Sequence, residues 1–205
     1  MGSKGQPVRV EETAVQVAVR VRPLLPKEVL HGQQTCVHIE PDQQGLTLGT
    51  NRHFHFQDVL DKACSQETVY SRCVQPLLEA FFQGFNVTVV AYGQTGSGKT
   101  YTIGEASICE SAVFTYSCSM SIFVVASISE DEQGIIPRAM AEIFKLVDEN
   151  DLIDYTIRVS YLEVYKEEFR DLLEVQTSSK DILIREDDKG SVAFLFLIKV
   201  IRVTD

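Results

Sequence analysis

The sequence predicts one α/β domain, in which helices cover both faces of a mostly parallel sheet. Strand-like and helix-like segments alternate along the chain. The strand-like segments alternate apolar and polar residues, and the helix-like segments have apolar residues at helical spacing. This order is typical of parallel sheets. One β-branched run is apolar on both of its faces, as a strand at the centre of such a sheet must be. The length of 205 residues suits a single domain with a buried core.

Composition and charge narrow the class of protein. Hydrophobic residues make up 44% of the chain and charged residues 23%, as is typical of a soluble globular domain. The net charge is −10, and most of it lies between residues 130 and 190, where there are 17 acidic and 8 basic side chains. Because an acidic surface repels phosphate backbones and anionic lipids, we expect neither nucleic acid nor membrane as a partner. Five cysteines without a C-x-x-C pair indicate reduced thiols and a cytoplasmic location.

The elements of the first half are predicted from local patterns. The sequence VQVAVRV, residues 15–21, alternates as a half-buried strand does. Residues 31–51 are punctuated by glycine and are expected to form small peripheral strands and turns. Ser65 can cap a helix, and Pro76 is expected to kink or restart it. The buried face of this helix is predicted from residues four positions apart, namely Val69, Cys73, Leu77 and Phe81.

A central strand and a second covering helix follow. Residues 87–92, VTVVAY, are the β-branched run that predicts a strand covered on both faces. From Pro137 onward, apolar residues at helical spacing predict a helix with proline in its first turn. These residues are Met140, Ile143, Phe144 and Val147. Residues 155–165 alternate as a strand, and residues 167–175 are expected to form another short element.

A glycine-rich loop of the form Gly-x4-Gly-Lys-Thr follows the predicted central strand directly. It consists of Gly93, Gln94, Thr95, Gly96, Ser97, Gly98, Lys99 and Thr100. Its glycines let the backbone wrap around a phosphate with N–H groups pointing inward, at the positive end of a helix. In this pattern the lysine reaches the β- and γ-phosphates, and the threonine hydroxyl binds Mg²⁺. Chance occurrence is the alternative, and the apolar strand pattern before the loop argues against it.

Four segments, in this order along the chain, resemble the motor domain of the kinesin family. They are VAVRVRPL (17–24), GFNVTVVAYGQTGSGKTYT (84–102), GIIPRA (134–139) and SYLEVYKEEFRDLL (160–173). Further segments, such as RPLLPKEVLHG, are most similar in sequence to the vertebrate ciliary kinesins linked to Hedgehog signalling. The resemblance implies a P-loop NTPase fold, ATP and Mg²⁺ as ligands, microtubules as the partner, and a location on the cytoskeleton and in the cilium.

The resemblance also assigns roles by position. It implies that Arg20, Arg22 and Pro23 line the adenine and that Tyr101 stacks near it, since flat cationic and aromatic groups suit a purine face. For the two arginines, an exposed strand face is the alternative. Thr100 is the implied metal ligand, and no catalytic residue is assigned. Four cations fall near the segment that meets tubulin in the family: Lys166, Arg170, Lys180 and Arg185.

A flexible N-terminus and two departures from the family pattern are expected. Residues 1–14 are expected to be a flexible N-terminus, ahead of a partial motor domain over residues 15–205. Within it, residues 109–129 are interpreted as a loop insertion, because Ala-Ser-Ile occurs at 106–108 and again at 126–128. Residues 191–205 diverge from the family.

The family's two switch motifs do not occur in the 205 residues, so we expect a fold that is incomplete at its C-terminal side. Such a chain is expected to bind ATP and Mg²⁺ without fast hydrolysis. A non-catalytic product that binds nucleotide or a partner is the alternative. An unrelated small ATPase or kinase is disfavoured by the SYLEVYKEEFRDLL match.

Overall fold

A computed structural model of the chain describes seven stretches of it. These are residues 15–104, 129–149, 156–159, 161–172, 182–186, 192–195 and 201–204. The chain divides into two compact units, residues 1–102 and residues 103–205. The expected flexible N-terminus, residues 1–14, and most of the expected insertion, residues 109–129, lie outside the described residues.

A pair of parallel strands runs through the first unit. Strand β1 is Ala18–Arg20, and it pairs in parallel with β5, Asp58–Leu60. Val59 and Leu60 in β5 are almost completely buried, which places β5 in the core of the unit, whereas β1 has no fully buried residue. The strand predicted over residues 15–21 is confirmed with shorter bounds.

Along the chain, a three-stranded antiparallel meander lies between β1 and β5, and it forms a separate sheet. Its strands are β2 (Val37–Ile39), β3 (Gly45–Leu48) and β4 (Arg52–His55), with β3 in the middle. The prediction of small strands and turns over residues 31–51 is confirmed, and β4 lies just beyond that range. Short strands joined by tight turns are what glycine-punctuated sequence favours.

In residues 15–102, which the structure describes, three helices belong wholly to the first unit: α1 (Pro26–Leu30), α2 (Gln66–Cys73) and α3 (Gln75–Phe82). Ser65 caps α2 as predicted, because its hydroxyl accepts a hydrogen bond from the backbone N–H of Thr68 at 3.1 Å. Pro76 lies in the first turn of α3, where its missing N–H costs nothing. The predicted restart of the helix at this proline is therefore confirmed.

The buried face of α2 and α3 differs from the predicted one. Val69 is buried as predicted, but Phe81 is 47% exposed. The buried row instead continues through Tyr70, Val74 and Leu78, which are also four positions apart. Val74, with φ of −121°, lies between the two helices, and the buried row keeps its spacing of four through this break.

Residues 85–92 form no strand in this structure. Val90 is 79% exposed and Tyr92 is 99% exposed. The prediction of a buried central strand over residues 87–92 is therefore wrong for the structure as described. No described strand pairs with either edge of this segment, and a backbone without ladder partners keeps its polar groups in water rather than in a core.

Among its described residues, the second unit contains one long helix and three antiparallel strand pairs. Helix α5 is Ile135–Asp148, and it buries Ile135 and Phe144. It begins two residues before the predicted start at Pro137, because a proline is tolerated within the first turn. The strand pairs are β6 (Thr156–Val159) with β11 (Ile201–Thr204), β7 (Leu162–Tyr165) with β8 (Glu168–Asp171), and β9 (Leu183–Glu186) with β10 (Val192–Leu195).

The predicted strand over residues 155–165 is confirmed as two strands, β6 and β7, and the short element after it is β8. A two-residue turn, Lys166 and Glu167, joins β7 to β8, with positive φ of 51° and 66°. This is the left-handed conformation of a tight hairpin turn, which glycine and asparagine adopt more easily than lysine or glutamate.

Two glycines of the second unit lie in direct contact. A Cβ atom added to Gly134 would lie 2.5 Å from the Cα of Gly104, and one added to Gly104 would lie 3.1 Å from Cδ of Pro137. Gly104 also has a φ of +92°, which other residues rarely adopt. The chain can therefore pass itself here only because both residues lack a side chain.

Candidate functional site: the glycine-rich loop

The glycine-rich loop lies between residues 85–92 and helix α4, Lys99–Ile103. Gly96 and Gly98 have φ angles of +78° and +96°, which residues with a Cβ atom rarely adopt. A Cβ atom on Gly93 would lie 2.5 Å from the hydroxyl oxygen of Ser97. The backbone path at all three positions therefore favours glycine.

Lys99 folds its side chain back over the loop. Its ammonium donates hydrogen bonds to the backbone carbonyls of Gly93 at 2.7 Å and Gln94 at 2.9 Å. Ionised phosphate oxygens are stronger acceptors for an ammonium than neutral carbonyls are. The lysine is thus held at the place where it could exchange these carbonyls for a phosphate.

Thr100 and Tyr101 follow at the start of α4. Thr100 is exposed, so its hydroxyl is accessible to a metal ion bound beside the loop. Tyr101 is 54% exposed, and the guanidinium of Arg20 lies 5.3 Å from the centre of its ring. One face of this ring is therefore covered by a cation of the protein itself.

Arg22 is bound directly to the loop. Its Nε donates to the carbonyl of Gly96 at 2.8 Å. Its two terminal nitrogens donate to the two carboxylate oxygens of Glu28 at 2.8 and 2.7 Å, and Nη1 also donates to the carbonyl of Pro23 at 2.9 Å. The hydrogen bonds from Arg22, and next that from the N–H of Leu25, lower the pKa of Glu28 from 4.5 to about 2.

A second arginine connects the strand β1 to helix α4. Nη1 of Arg20 donates to the side-chain oxygen of Gln66 at 2.7 Å and to the hydroxyl of Thr102 at 2.9 Å. The side-chain nitrogen of Gln66 donates in turn to the carbonyl of Tyr101 at 2.6 Å. Gln66 is only 3% exposed, so it makes these bonds inside the unit.

The structure brings the expected adenine residues close to the loop, but it engages Arg20, Arg22 and Pro23 in internal bonds. Arg20 bonds within the unit, Arg22 bonds the loop backbone, and Pro23 offers its carbonyl to Arg22. Thr95 is exposed and forms part of the glycine-rich loop itself, as do the remaining residues of the motif. The contacts of these residues with adenine, phosphate and Mg²⁺ stay predictions.

Sequence reasoning did not identify Glu28 and Gln66. A signal for Gln66 exists, since it lies four residues before Tyr70 on the buried row of α2 and α3, where a polar side chain needs a partner. A signal for Glu28 is its place as the third residue of α1, after Pro26, where a carboxylate accepts from the backbone before the helix.

The cations expected near tubulin are placed only in part. Lys166 lies over the ring of Tyr165, with 5.3 Å from Nζ to the ring centre. Nη1 of Arg170 lies 3.9 Å from a carboxylate oxygen of Glu163. Lys180 lies outside the described residues, and Arg185 lies in β9. The described residues do not test their contact with tubulin.

The described residues contain neither a metal-binding cluster nor a helix that could span a membrane. Over this part of the chain, no three His, Cys, Asp or Glu side chains are grouped so that they could hold a metal ion together. None of the helices in the described stretches is long and apolar enough to cross a bilayer.

Comparison with known proteins places the chain in a family. The kinesin motor domain matches residues 20–204, and the chain therefore belongs to the kinesin family. A solved kinesin structure, "Structure of a fast kinesin: Implications for ATPase mechanism and interactions with microtubules", has the same fold, with a TM-score of 0.72 and 27% identity over 94% of this chain and 48% of that one. This match confirms the predicted P-loop α/β fold.

Among curated proteins, the chain is similar to two groups of kinesins. It is 62% identical over 184 residues to "Kinesin-like protein kif7" of Danio rerio and 64% identical over 182 residues to "Kinesin-like protein KIF7" of Mus musculus, which cover 90% and 89% of this chain. It is 49% identical over 186 residues, or 91% of the chain, to "Kinesin-like protein KIF27" of Mus musculus. The chain spans 12% of the length of each of these relatives.

Proposed function

We propose that residues 15–205 are part of a microtubule motor domain and that the glycine-rich loop binds ATP together with Mg²⁺. The observation that carries this proposal is the position of Lys99, whose ammonium is hydrogen-bonded to the backbone of a loop with three glycines at φ angles that other residues rarely adopt. A polyphosphate fits such a loop because backbone N–H groups, a helix N-terminus and a cation all favour negative charge.

The remaining site residues take their roles around this phosphate. Thr100 supplies its hydroxyl to Mg²⁺, as the last residue of this motif does. Tyr101 and Pro23 lie at the side where the adenine is bound, together with Arg20 and Arg22. This function locates the protein in the cytoplasm, on the cytoskeleton, including that of the cilium.

Binding of a fluorescent ATP analogue, measured by anisotropy in the presence of Mg²⁺, tests the proposal. Lys99→Ala is expected to weaken binding at least about tenfold, since charged hydrogen bonds to phosphate are lost. Lys62→Ala is the matched control, because it removes the same charge from an exposed position of the same unit. Equal affinity in the parent chain and Lys99→Ala would contradict the proposal.

A finer proposal concerns turnover. The 205 residues contain neither Asn-x-x-Ser-Ser-Arg-Ser-His nor Asp-Leu-Ala-Gly, the two switch motifs of the family. Because P-loop NTPases position the attacking water and sense the γ-phosphate with switch residues, these residues alone are proposed to hold ATP without fast hydrolysis. Phosphate release with and without microtubules measures this, and rapid tubulin-dependent turnover by the purified chain would contradict it.

A further inference from the structure

We propose that Glu28 is a positioning residue of the nucleotide site, which acts through Arg22 to hold the turn at Gly96 in the middle of the glycine-rich loop. This inference rests on the proposed function of that loop. Glu28 does not contact the loop directly. Its carboxylate binds Arg22, and Arg22 binds the backbone of the loop.

Glu28 fixes the orientation of Arg22. A guanidinium is planar and rigid, so fixing its two terminal nitrogens also fixes the direction of its Nε–H bond. Glu28 binds both terminal nitrogens through its two oxygens. The remaining Nε–H is thereby directed at the carbonyl of Gly96, which it meets at 2.8 Å.

The direction of the Gly96 carbonyl determines the direction of the next N–H, that of Ser97. In a trans peptide the carbonyl of one residue and the N–H of the next point in opposite directions. Arg22 holds the carbonyl of Gly96 in one direction, so the N–H of Ser97 is held in the opposite direction. That N–H donates to the carbonyl of Gln94 at 3.1 Å, within the turn that would surround a phosphate.

Glu28 is itself held in place by its own helix. It is the third residue of α1, and one of its oxygens accepts the N–H of Leu25 at 2.7 Å. Only 17% of its side chain is exposed, against 31% for that of Arg22. Glu28 is therefore held by its own helix as well as by Arg22, and its low pKa keeps it charged at any neutral or mildly acidic pH.

The affinity of the chain for a fluorescent ATP analogue with Mg²⁺ tests this inference. Glu28→Gln is expected to weaken binding by up to about fivefold, the largest effect of a partly exposed ion pair. Asp58→Asn is the matched control, since it breaks the ion pair of Asp58 with Arg72 in the same unit, away from the loop. This control is expected to leave the affinity unchanged.

A double-substitution experiment separates positioning from general loss of structure. If Glu28 acts through Arg22, Glu28→Gln weakens binding in the parent chain and has no added effect in an Arg22→Gln background. Glu28→Asp, which keeps the charge, is expected to restore part of the affinity. As a readout without ligand, amide hydrogen exchange of Ser97 is expected to be faster in Glu28→Gln than in Asp58→Asn.

The outcomes distinguish this inference from the proposed function. Absence of nucleotide binding by the unsubstituted chain overturns both. Binding that Lys99→Ala weakens, but that Glu28→Gln and Asp58→Asn leave equally unchanged, overturns only the role of Glu28. The same holds if Glu28→Gln weakens binding equally with and without Arg22, or if the exchange rate of Ser97 does not change.

Discussion

Replacement of Gln66 by leucine tests the network that connects β1, α2 and α4. The substitution removes the bond from Arg20 at 2.7 Å and the bond to the Tyr101 carbonyl at 2.6 Å. A bond from a charged donor contributes about 1.5–3 kcal/mol and a neutral one about 1 kcal/mol. Leucine returns about 1 kcal/mol through its more apolar side chain. The expected net loss of local stability is about 2 kcal/mol.

Native-state hydrogen exchange is the assay, because it reports local opening at a chosen amide. The reporter is Thr102, whose N–H donates to the carbonyl of Gly98 at 2.9 Å in the first turn of α4. A loss of about 2 kcal/mol corresponds to exchange that is roughly 30-fold faster. Gln34→Leu is the control at an exposed position, where less than about 0.5 kcal/mol is expected.

A further variant separates the two bonds. Gln66→Glu keeps an acceptor for Arg20 but directs a carboxylate oxygen at the carbonyl of Tyr101, so exchange at Thr102 is expected to accelerate although the contact with Arg20 survives. If Gln66→Leu changes the exchange rate at Thr102 no more than Gln34→Leu does, the reasoning about this network is refuted.

Three other predictions concern separate groups. The pKa of Glu28 is about 2 instead of the ordinary 4.5, so the stability from its ion pair is complete above about pH 4.5 and is lost as the pH falls toward 2; a carboxyl NMR titration with a midpoint near 4.5 would contradict this. Lys166→Asn is expected to stabilise the β7–β8 hairpin by about 0.5–1 kcal/mol, because asparagine adopts positive φ more easily; unchanged amide protection in both strands would speak against it. Burial raises the pKa of Cys73, so it is expected to react with iodoacetamide more slowly than the exposed Cys36, as peptide mass spectrometry would measure.

Features set by a few neighbouring residues could be predicted from the sequence. The cap at Ser65, the helix restart at Pro76 and the glycine-rich loop each depend on backbone geometry that one residue type imposes. The structure describes all three where the sequence predicts them.

Features that join distant parts of the chain could not be predicted in this way. The contact of Arg22 with the Gly96 carbonyl spans 74 positions, and that of Arg20 with Thr102 spans 82. Residues 87–92 have the composition of a central strand, but composition does not supply the neighbouring strands that a ladder requires. The prediction of that strand therefore depended on partners that the described residues do not provide.

The Gly104–Gly134 contact bears on how the sequence between these glycines can evolve. Because the two backbones already touch, any intervening segment starts and finishes at one point, and its closure entropy grows only with the logarithm of its length. A threefold longer connection costs about 1 kcal/mol on this basis. Insertion of sequence here, as proposed for residues 109–129, would thus carry only a small entropic cost, whereas a side chain on Gly134 would clash with the backbone of Gly104.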